Sequence, residues 1–328
     1  MAELPDDTRA PSRFTRRRKK RDELEAFAHA TADDLKAQFE ATRAQFEATN
    51  ERIEAKAGRN LFAAIGIGVG LGALLLLSLL WFKELFMLFG GALVAFTSFE
   101  LASALRFGGR NVPRLPTVIA ALAVVPAAFY LGAGGTWLVT LAGIAFVALW
   151  RIAELVRPSH RGSAIEVGKD VAAGALVQVY VPFLAGFAVL LTAQEGGQWW
   201  TLAFILIVVA IDIGAYASGV AFGKHKMAPR ISPGKTWEGF AGAAVVSVVA
   251  GVLLSLFMLG EPWWLGVIFG LTMVFTATIG DLTESLIKRD LGIKDISTWL
   301  PGHGGFLDRL DSILPSAAAA YLLFHIFG

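Results

Sequence analysis

The sequence predicts an all-α, polytopic integral membrane protein with about nine transmembrane helices, preceded by a soluble N-terminal arm. Only 17% of its 328 residues are charged and its mean hydropathy is +0.59, whereas a soluble protein carries about 25% charged residues. Apolar runs of about 20 residues, the length that crosses a bilayer core, follow one another from Leu61 onwards. Cysteine is absent, which excludes disulfides and thiolate metal sites.

Residues 1–60 form the basic, heptad-like arm, which we expect to be cytoplasmic. An unbroken basic run from Arg16 to Arg21 is typical of a solvated positive-inside anchor, and contact with anionic lipid headgroups is the sharper alternative. The heptad AQFEATR at 37–43 is followed at once by AQFEATN at 44–50. Two copies are fewer than a coiled coil needs, so we expect a helix that lies on a surface or self-associates weakly. The first apolar run begins near Leu61, too late for a signal peptide.

The region 61–328 is predicted to be the transmembrane domain. Short connectors join the first two spans and the next two, which favours helical hairpins. Frequent glycine and alanine would let these helices approach closely. The nine predicted spans lie near 61–82, 84–105, 115–133, 135–156, 172–193, 199–221, 239–259, 262–280 and 310–327.

The distribution of cations predicts the orientation of these spans. If the N-terminus is cytoplasmic, every one of the 29 Lys and Arg residues except Lys83 falls on the cytoplasmic side. The polar segments 212–239 and 281–311 then both face the cytoplasm, where a nucleotide or another soluble phosphate compound can reach them.

The segment from Gly280 to Asp311 is densely charged, although apolar spans flank it on both sides. Such a block is a functional-site hypothesis by default. Asp308 and Asp311 are three residues apart, so a helix that starts just after Gly305 would carry both carboxylates on one face. With Asp281 they would supply oxygen ligands for Mg²⁺. The alternative is that these acids form solvated ion pairs with neighbouring cations.

Cations and glycines accompany the acids in both polar segments. Arg and Lys bind phosphate, and acids that hold a divalent ion beside them suit a polyphosphate. The sequence HGGF at 303–306 places two glycines before the last span, where backbone N–H groups can approach an anion. His303 would bind phosphate, move a proton or make a structural hydrogen bond. The cations are Lys288, Arg289 and Lys294 in one segment and Lys224, Lys226, Arg230 and Lys235 in the other.

The segment 212–239 is expected to form the other wall of the same site. Asp212 falls inside span six, where an isolated charge is costly, so it should face a polar cavity. Ser232, Lys235 and Thr236 belong to a compact polar turn, and Glu238 opens span seven.

The segment 285–311 has the sequence SLIKRDLGIKDISTWLPGHGGFLDRLD. It resembles the signature of the phosphatidate cytidylyltransferases, or CDP-diacylglycerol synthases. The similarity covers about residues 60–328 and departs from the family pattern at Gly234. The fixed positions it shares are Ser285, Lys288, Arg289, Lys294, Asp295, His303, Gly304, Gly305, Asp308, Arg309 and Asp311. The segment 212–239 and the sequence GDLTES at 280–285 are also similar to the family.

The resemblance implies transfer of the cytidylyl group of CTP to phosphatidate, giving CDP-diacylglycerol and pyrophosphate in phospholipid biosynthesis. It implies Mg²⁺ as cofactor, with a second cation left open, a bacterial plasma membrane, a homodimer and no nucleic-acid partner. Metal binding is predicted for Asp281, Asp308 and Asp311, and catalytic phosphate contacts for Lys288, Arg289, His303 and Arg309. The predicted substrate-binding residues are Asp212, Lys224, Ser232, Lys235, Glu238, Ser285, Lys294, Gly304 and Gly305.

Two other functions are compatible with the residues. A related membrane enzyme would be a lipid kinase, which transfers the γ-phosphoryl group of a nucleotide to an alcohol, or a cytidylyltransferase for another lipid phosphate. A transporter would use Glu100 and Asp212 within its spans. The clustering of acids at one membrane face, rather than along a path, argues against transport.

Overall fold

Helices make up nearly all of the part of the chain that the computed structural model describes, which is residues 61–297, 299 and 304–328. The predictions for the N-terminal arm and for His303 lie outside these residues. The helices are α1 (Leu61–Leu80), α2 (Lys83–Phe107), α3 (Arg114–Ala153), α4 (Ala164–Gln178), α5 (Leu184–Ala193), α6 (Gly197–Phe222), α7 (Trp237–Leu254), α8 (Trp263–Leu291), α9 (Leu307–Leu310) and α10 (Ile313–Phe327). A π-helical turn at Val179–Phe183 joins α4 to α5, and another at Ser255–Leu259 extends α7.

Seven helices of the described part are long and apolar enough to cross a membrane. The longest, which contains α3, breaks at Gly132, where φ is 70° and ψ is −163°. A Cβ at Gly143 would lie 3.2 Å from Cβ of Ala120, although these residues would be about 34 Å apart along a straight helix. The chain therefore reverses at Gly132, and α3 supplies two of the predicted spans. With α1, which is apolar over Gly68–Leu80, the prediction of about nine spans is confirmed.

Helix α8 is longer than predicted. The sequence prediction ended this span at residue 280, but the helix continues to Leu291 and stops at Gly292 in a left-handed conformation (φ 67°). Ile287 and Leu291 pack against a buried cluster that includes Leu105 of α2, so one face of the extension is apolar although the other is charged. The first part of the predicted loop 281–311 is therefore helical, and several predicted site residues lie on a rigid element.

A second correction concerns the predicted polar turn between the sixth and seventh spans. Strand β1 (Lys226–Ala228) pairs antiparallel with β2 (Ser232–Thr236), with Lys226 opposite Thr236 and Ala228 opposite Ser232. The Nε–H of Arg289 donates to the carbonyl oxygen of Ile231 at 3.1 Å, which ties this ribbon to α8. Isolated short hairpins are marginal in water, so such an attachment is needed to hold it.

Small residues control how the helices pack around the main buried cluster, which includes Phe204, Phe269 and Met273. A Cβ at Gly270 of α8 would lie 2.4 Å from the carbonyl oxygen of Ser247 of α7, so the two backbones touch there. Close packing of this kind is how helices associate in a membrane.

Two contacts indicate which connectors lie at the same end of the helices. Lys83 donates to the carbonyl oxygen of Gln194, whereas Gly108 approaches the side chain of Leu291. The connector after α2 therefore lies at the same end as the charged end of α8, as the charge pattern predicted.

Candidate active site

The site is organised by a close crossing at Gly280 of α8. A Cβ at this position would lie 2.1 Å from the carbonyl oxygen of Asp311 and 2.7 Å from Cγ of Pro315, so only glycine fits. The hydroxyl of Tyr180 also reaches the carbonyl oxygen of Gly280, at 3.4 Å. The crossing brings Asp281 next to Asp311, although thirty positions separate them in the sequence.

A cavity of about 310 Å³ opens beside this crossing, between α6, α7 and α8. Asp212, Lys235, Asp281 and Ser312 contribute its polar wall, and apolar residues of α6 and α7 line the remainder. Lys235 forms an ion pair with Asp281, and the hydroxyl of Ser285 donates to Asp281 at 3.3 Å. Asp212, Lys235 and Asp281 are close enough to Asp311 to interact with its charge. We call this space the acidic cavity.

Lys288 belongs to a separate cluster of charges. Its ammonium group lies 2.5 Å from Glu284 and 2.9 Å from Asp308, and only 18% of its side chain is exposed. The backbone N–H of Gly305 donates to the other Asp308 oxygen at 2.7 Å. Glu284 itself is 1% exposed. A buried carboxylate of this kind needs a paired cation, so Lys288 is fixed between two acids.

The segment before α9 is anchored by Glu100 of α2, which is 1% exposed. Its carboxylate accepts hydrogen bonds from the Ser297 hydroxyl at 2.5 Å and from the backbone N–H of Leu307 at 3.0 Å. A Cβ on Gly305 would lie 3.0 Å from both Glu100 oxygens, so glycine is required for this approach. Stacking of Phe96 on Phe306, with centroids 5.0 Å apart, adds an apolar contact. Glu100 therefore positions the signature segment, which accounts for a charge inside a span without transport.

A second cavity, of about 280 Å³, is almost wholly apolar. Residues of α1, α2, α5, α6 and α10 line it, and among the described residues Arg309 is the one ionisable side chain of its lining. Leu310 and Ile313 also face this space, which we call the apolar cavity, whereas Ser312 faces the acidic cavity. The short segment 309–313 therefore separates a polar space from an apolar one.

The predicted metal ligands are divided between the two charged clusters. The backbone stays helical from α9 to α10, because Asp311 (φ −50°, ψ −47°) and Ser312 (φ −76°, ψ −30°) both have helical angles, but the side chains of Asp308 and Asp311 take different partners. Asp308 turns to Lys288, whereas one Asp311 oxygen accepts the backbone N–H of Ser312 at 2.7 Å. Among the described residues, no three acidic or histidine side chains are grouped so as to hold a metal by themselves.

The other predicted site residues lie around the ribbon and the signature segment. Glu238 accepts backbone N–H groups of Lys224 and His225 at 3.1 and 3.2 Å, so it holds the entry to β1. Ser232 begins β2, and Lys294 is exposed. Gly304 has a φ of +80°, which a side chain would strain, as the HGGF pattern indicated.

Sequence reasoning missed three residues that the structure brings into the site. Glu284 stands four residues before Lys288, and this helical spacing was a readable signal for an ion pair. The sequence analysis considered Glu100 only as a residue that a transporter would use. The sequence position of Ser312 gives no sign that it faces a cavity.

These features define a class: a polytopic helical membrane protein with an acid- and cation-lined cavity beside an apolar one. The cytidylyltransferase family model matches residues 62–327. The chain belongs to this family, as the resemblance in the signature segment predicted.

Named relatives agree with this assignment. The chain is 39% identical over 276 residues to the phosphatidate cytidylyltransferase of Mycobacterium bovis, covering 82% of this chain and 90% of the relative. It is 36% identical to that of Mycobacterium leprae, covering 82% and 88%. A shorter match, 41% over 151 residues, relates it to the phosphatidate cytidylyltransferase of Brucella suis, covering 44% of this chain and 56% of the relative. Membership of this enzyme family does not favour the transporter alternative.

Proposed function

We propose that the protein transfers the cytidylyl group of CTP to phosphatidate, forming CDP-diacylglycerol and releasing pyrophosphate. The observation that carries this proposal is the segment 309–313, which faces the acidic cavity on one side and the apolar cavity on the other. A nucleotide triphosphate suits the first space and the acyl region of a lipid suits the second. The reacting phosphates would then meet at this segment.

The reaction needs alignment and charge neutralisation more than covalent help from the protein. An oxygen of the lipid phosphate attacks the α-phosphorus of CTP, a new P–O bond forms, and the bond to the β-phosphate breaks to release pyrophosphate. The attacking oxygen is already anionic near neutral pH, so no strong general base is required. Holding two anions in line is the main task, and positioned cations perform it.

Two cations are placed to do this from opposite sides. Lys235 lies in the acidic cavity beside Asp281, where it would contact the triphosphate. Arg309 lines the apolar cavity, where its guanidinium would contact the lipid phosphate, because Arg matches phosphate with paired N–H donors. Arg289 on α8 is held by the ribbon and would steer anions toward the same end.

Mg²⁺ fits the acidic cavity better than it fits the three acids first predicted. Asp281 and Asp311 are adjacent, and the cation that Asp281 already attracts is the ammonium of Lys235. Mg²⁺ commonly uses one or two carboxylates and completes its shell with water and substrate phosphates, so these two acids, with Asp212 nearby, would hold it once the ion displaces the Lys235 ammonium from Asp281. When bound, the ion would neutralise charge on the triphosphate. Asp308 would instead keep Lys288 in place.

We propose that this end of the helices faces the cytoplasm, where CTP is available. The support is the distribution of Lys and Arg, because among the described residues only Lys83 falls at the other end. The exposed apolar side chains of the spans, such as Phe257 and Leu138, would contact membrane lipids. A homodimer is an expectation from the family resemblance.

Labelled nucleotides test the proposal. Purified protein would be incubated with phosphatidate and CTP carrying ³²P at either the α or the γ position. We expect α-label in the lipid product and γ-label in released pyrophosphate. Transfer of γ-label to an alcohol acceptor would indicate the lipid kinase, and α-label transfer only with a different lipid phosphate would indicate the other cytidylyltransferase. Both results contradict phosphatidate as the substrate.

A further inference from the structure

A third cavity, of about 470 Å³, lies at the end of the helices that carries the active site, and none of its lining residues faces the acidic or the apolar cavity. The connector after α2 and the 3₁₀ turns after α3 form its rim together with the start of α4. Its lining is strongly cationic, with four arginines and one histidine against two acids. The ionisable lining residues are Arg106, Arg110, Arg151, His160, Arg161, Glu166 and Asp170.

Both acids of this cavity are already engaged. The two Asp170 oxygens accept the backbone N–H of Asn111 at 2.8 Å and the Arg151 guanidinium at 2.9 Å. Glu166 closes the N-terminal capping box of α4, since one of its oxygens accepts the backbone N–H of Ser163 at 2.8 Å. These acids are fixed by local structure, and the arginines outnumber them.

Arg151 is the buried arginine of this cavity. Its side chain is only 3% exposed, and its Nε and Nη2 groups bind Asp170. Its Nη1 group is buried without a hydrogen-bond partner in the described part of the chain. A buried donor without an acceptor is costly, particularly on a charged group. This Nη1 atom has almost no accessible surface, so the cationic groups that an anion in the cavity can reach belong to the other arginines.

We propose that this basic cavity binds a phosphate group, separately from catalysis. Arg110 and Arg161 would bind the phosphate from the rim of the cavity, because a guanidinium group donates paired hydrogen bonds to phosphate oxygens. The arginines that line the cavity come from α2, its connector, α3 and the turn before α4, so an occupied site would tie these elements together.

The surroundings of the cavity suit a phospholipid. An adjacent cavity of about 530 Å³ shares Arg106 and His160 and adds the apolar side chains of Leu115 and Trp150. Both of these are exposed, Leu115 at 70% and Trp150 at 47%, and Trp is typical of membrane–water interfaces. A headgroup phosphate among the arginines would leave its acyl chains beside these residues. A free phosphate would use the same arginines but not the apolar neighbours.

Binding to the full-length, delipidated protein tests this. Native mass spectrometry would measure phosphatidylglycerol and diacylglycerol, which lacks phosphate, and calorimetry would measure inorganic phosphate. The test variant is Arg110→Gln with Arg161→Gln, which spares the buried Arg151–Asp170 pair. At about 1 kcal/mol per cation near a membrane surface, we expect about 30-fold weaker phosphatidylglycerol binding. Lys169→Gln is the matched control, because Lys169 is an exposed cation of α4 that does not line the cavity.

Each outcome decides the proposal. If the double variant loses phosphatidylglycerol binding but keeps inorganic phosphate binding, the ligand is a lipid headgroup. If it loses the binding of both probes equally, a soluble phosphate is a ligand. The proposal is overturned if the double variant binds both probes as tightly as the unmodified protein. It is also overturned if Lys169→Gln weakens binding as much, or if diacylglycerol binds as well as phosphatidylglycerol. Thermal unfolding in detergent would verify that the variants are folded.

Discussion

Replacing Gly280 with alanine should disable the site while leaving the protein folded. The added Cβ would lie 2.1 Å from the Asp311 carbonyl oxygen, and ordinary contact begins at 3.4 Å, so the two backbones must separate by roughly 1.3 Å. Overpacking of this kind typically costs about 1–3 kcal/mol of stability. The displacement falls between Asp281 and Asp311, and misplacement by about 1 Å can cost on the order of 100-fold in rate. We therefore expect at least about a 100-fold fall in kcat for transfer of α-label from CTP to phosphatidate.

Gly270→Ala is the matched control, because it creates a similar clash on the same helix. Its Cβ would lie 2.4 Å from the Ser247 carbonyl oxygen, at the crossing of α7 and α8. It does not line the acidic or the apolar cavity. We expect a comparable fall in the thermal unfolding midpoint but near-normal kcat for the folded protein. Full activity of Gly280→Ala, or an equal loss of kcat in Gly270→Ala, would refute the link between this crossing and the acids.

Four further variants separate the roles of the site residues. Asp311→Asn should raise the Mg²⁺ concentration needed for half-maximal rate by at least about tenfold, whereas Asp308→Asn, which pairs with a lysine, should leave that concentration unchanged; equal shifts in a Mg²⁺ titration would contradict the division of the acids. Glu100→Gln should lower turnover and speed hydrogen exchange at Leu307, because an amide accepts on one atom only and a hydrogen bond to a charged group is worth about 1.5–3 kcal/mol; unchanged exchange would exclude its anchoring role. Arg309→Gln should raise KM for phosphatidate about tenfold or more with little change in KM for CTP, and steady-state kinetics showing the reverse would move Arg309 to the nucleotide side.

The spans were predictable because each depends on local composition. A run of about 20 apolar residues has one stable arrangement in lipid, a hydrogen-bonded helix. The reversal at Gly132 lies within two residues of the predicted boundary between the spans 115–133 and 135–156. The distribution of Lys and Arg also predicted which connectors lie at the same end of the helices. The contact of Gly108 with Leu291 agrees with that prediction.

The end of α8 was not predictable from hydropathy alone. Lys288 and Arg289 resemble the start of a loop in a hydropathy reading, but Ile287 and Leu291 keep the helical spacing and bury against neighbouring helices. A helix can leave the bilayer and continue into water when one of its faces remains covered. Tertiary contacts therefore decided the boundary.

The partner that each acid contacts depends on tertiary structure, which the spacing of residues in the sequence does not reveal. Three residues separate Asp308 from Asp311, and this spacing places both on one side of a helix. The chain stays helical at Asp311 and Ser312, yet Asp308 pairs with Lys288, and the contact that places Asp311 beside Asp281 comes from Gly280, far away in the sequence. The residue types of the site were readable, but their grouping required the fold.

This grouping of the acidic side chains changes the role that we infer for Lys288. Its ammonium group lies between Glu284 and Asp308, so the three side chains together carry one net negative charge when ionised. A cation neutralised in this way adds little attraction for a triphosphate, and removing it would leave two acids poorly compensated in a buried place. Lys288 is thus better suited to positioning α9, through Asp308 and Gly305, than to binding substrate. Lys235 is also paired, with Asp281, so it would attract phosphate only when a bound Mg²⁺ takes over that acid. Arg309 and Mg²⁺ would supply the rest of the attraction at the segment where the substrates are proposed to meet.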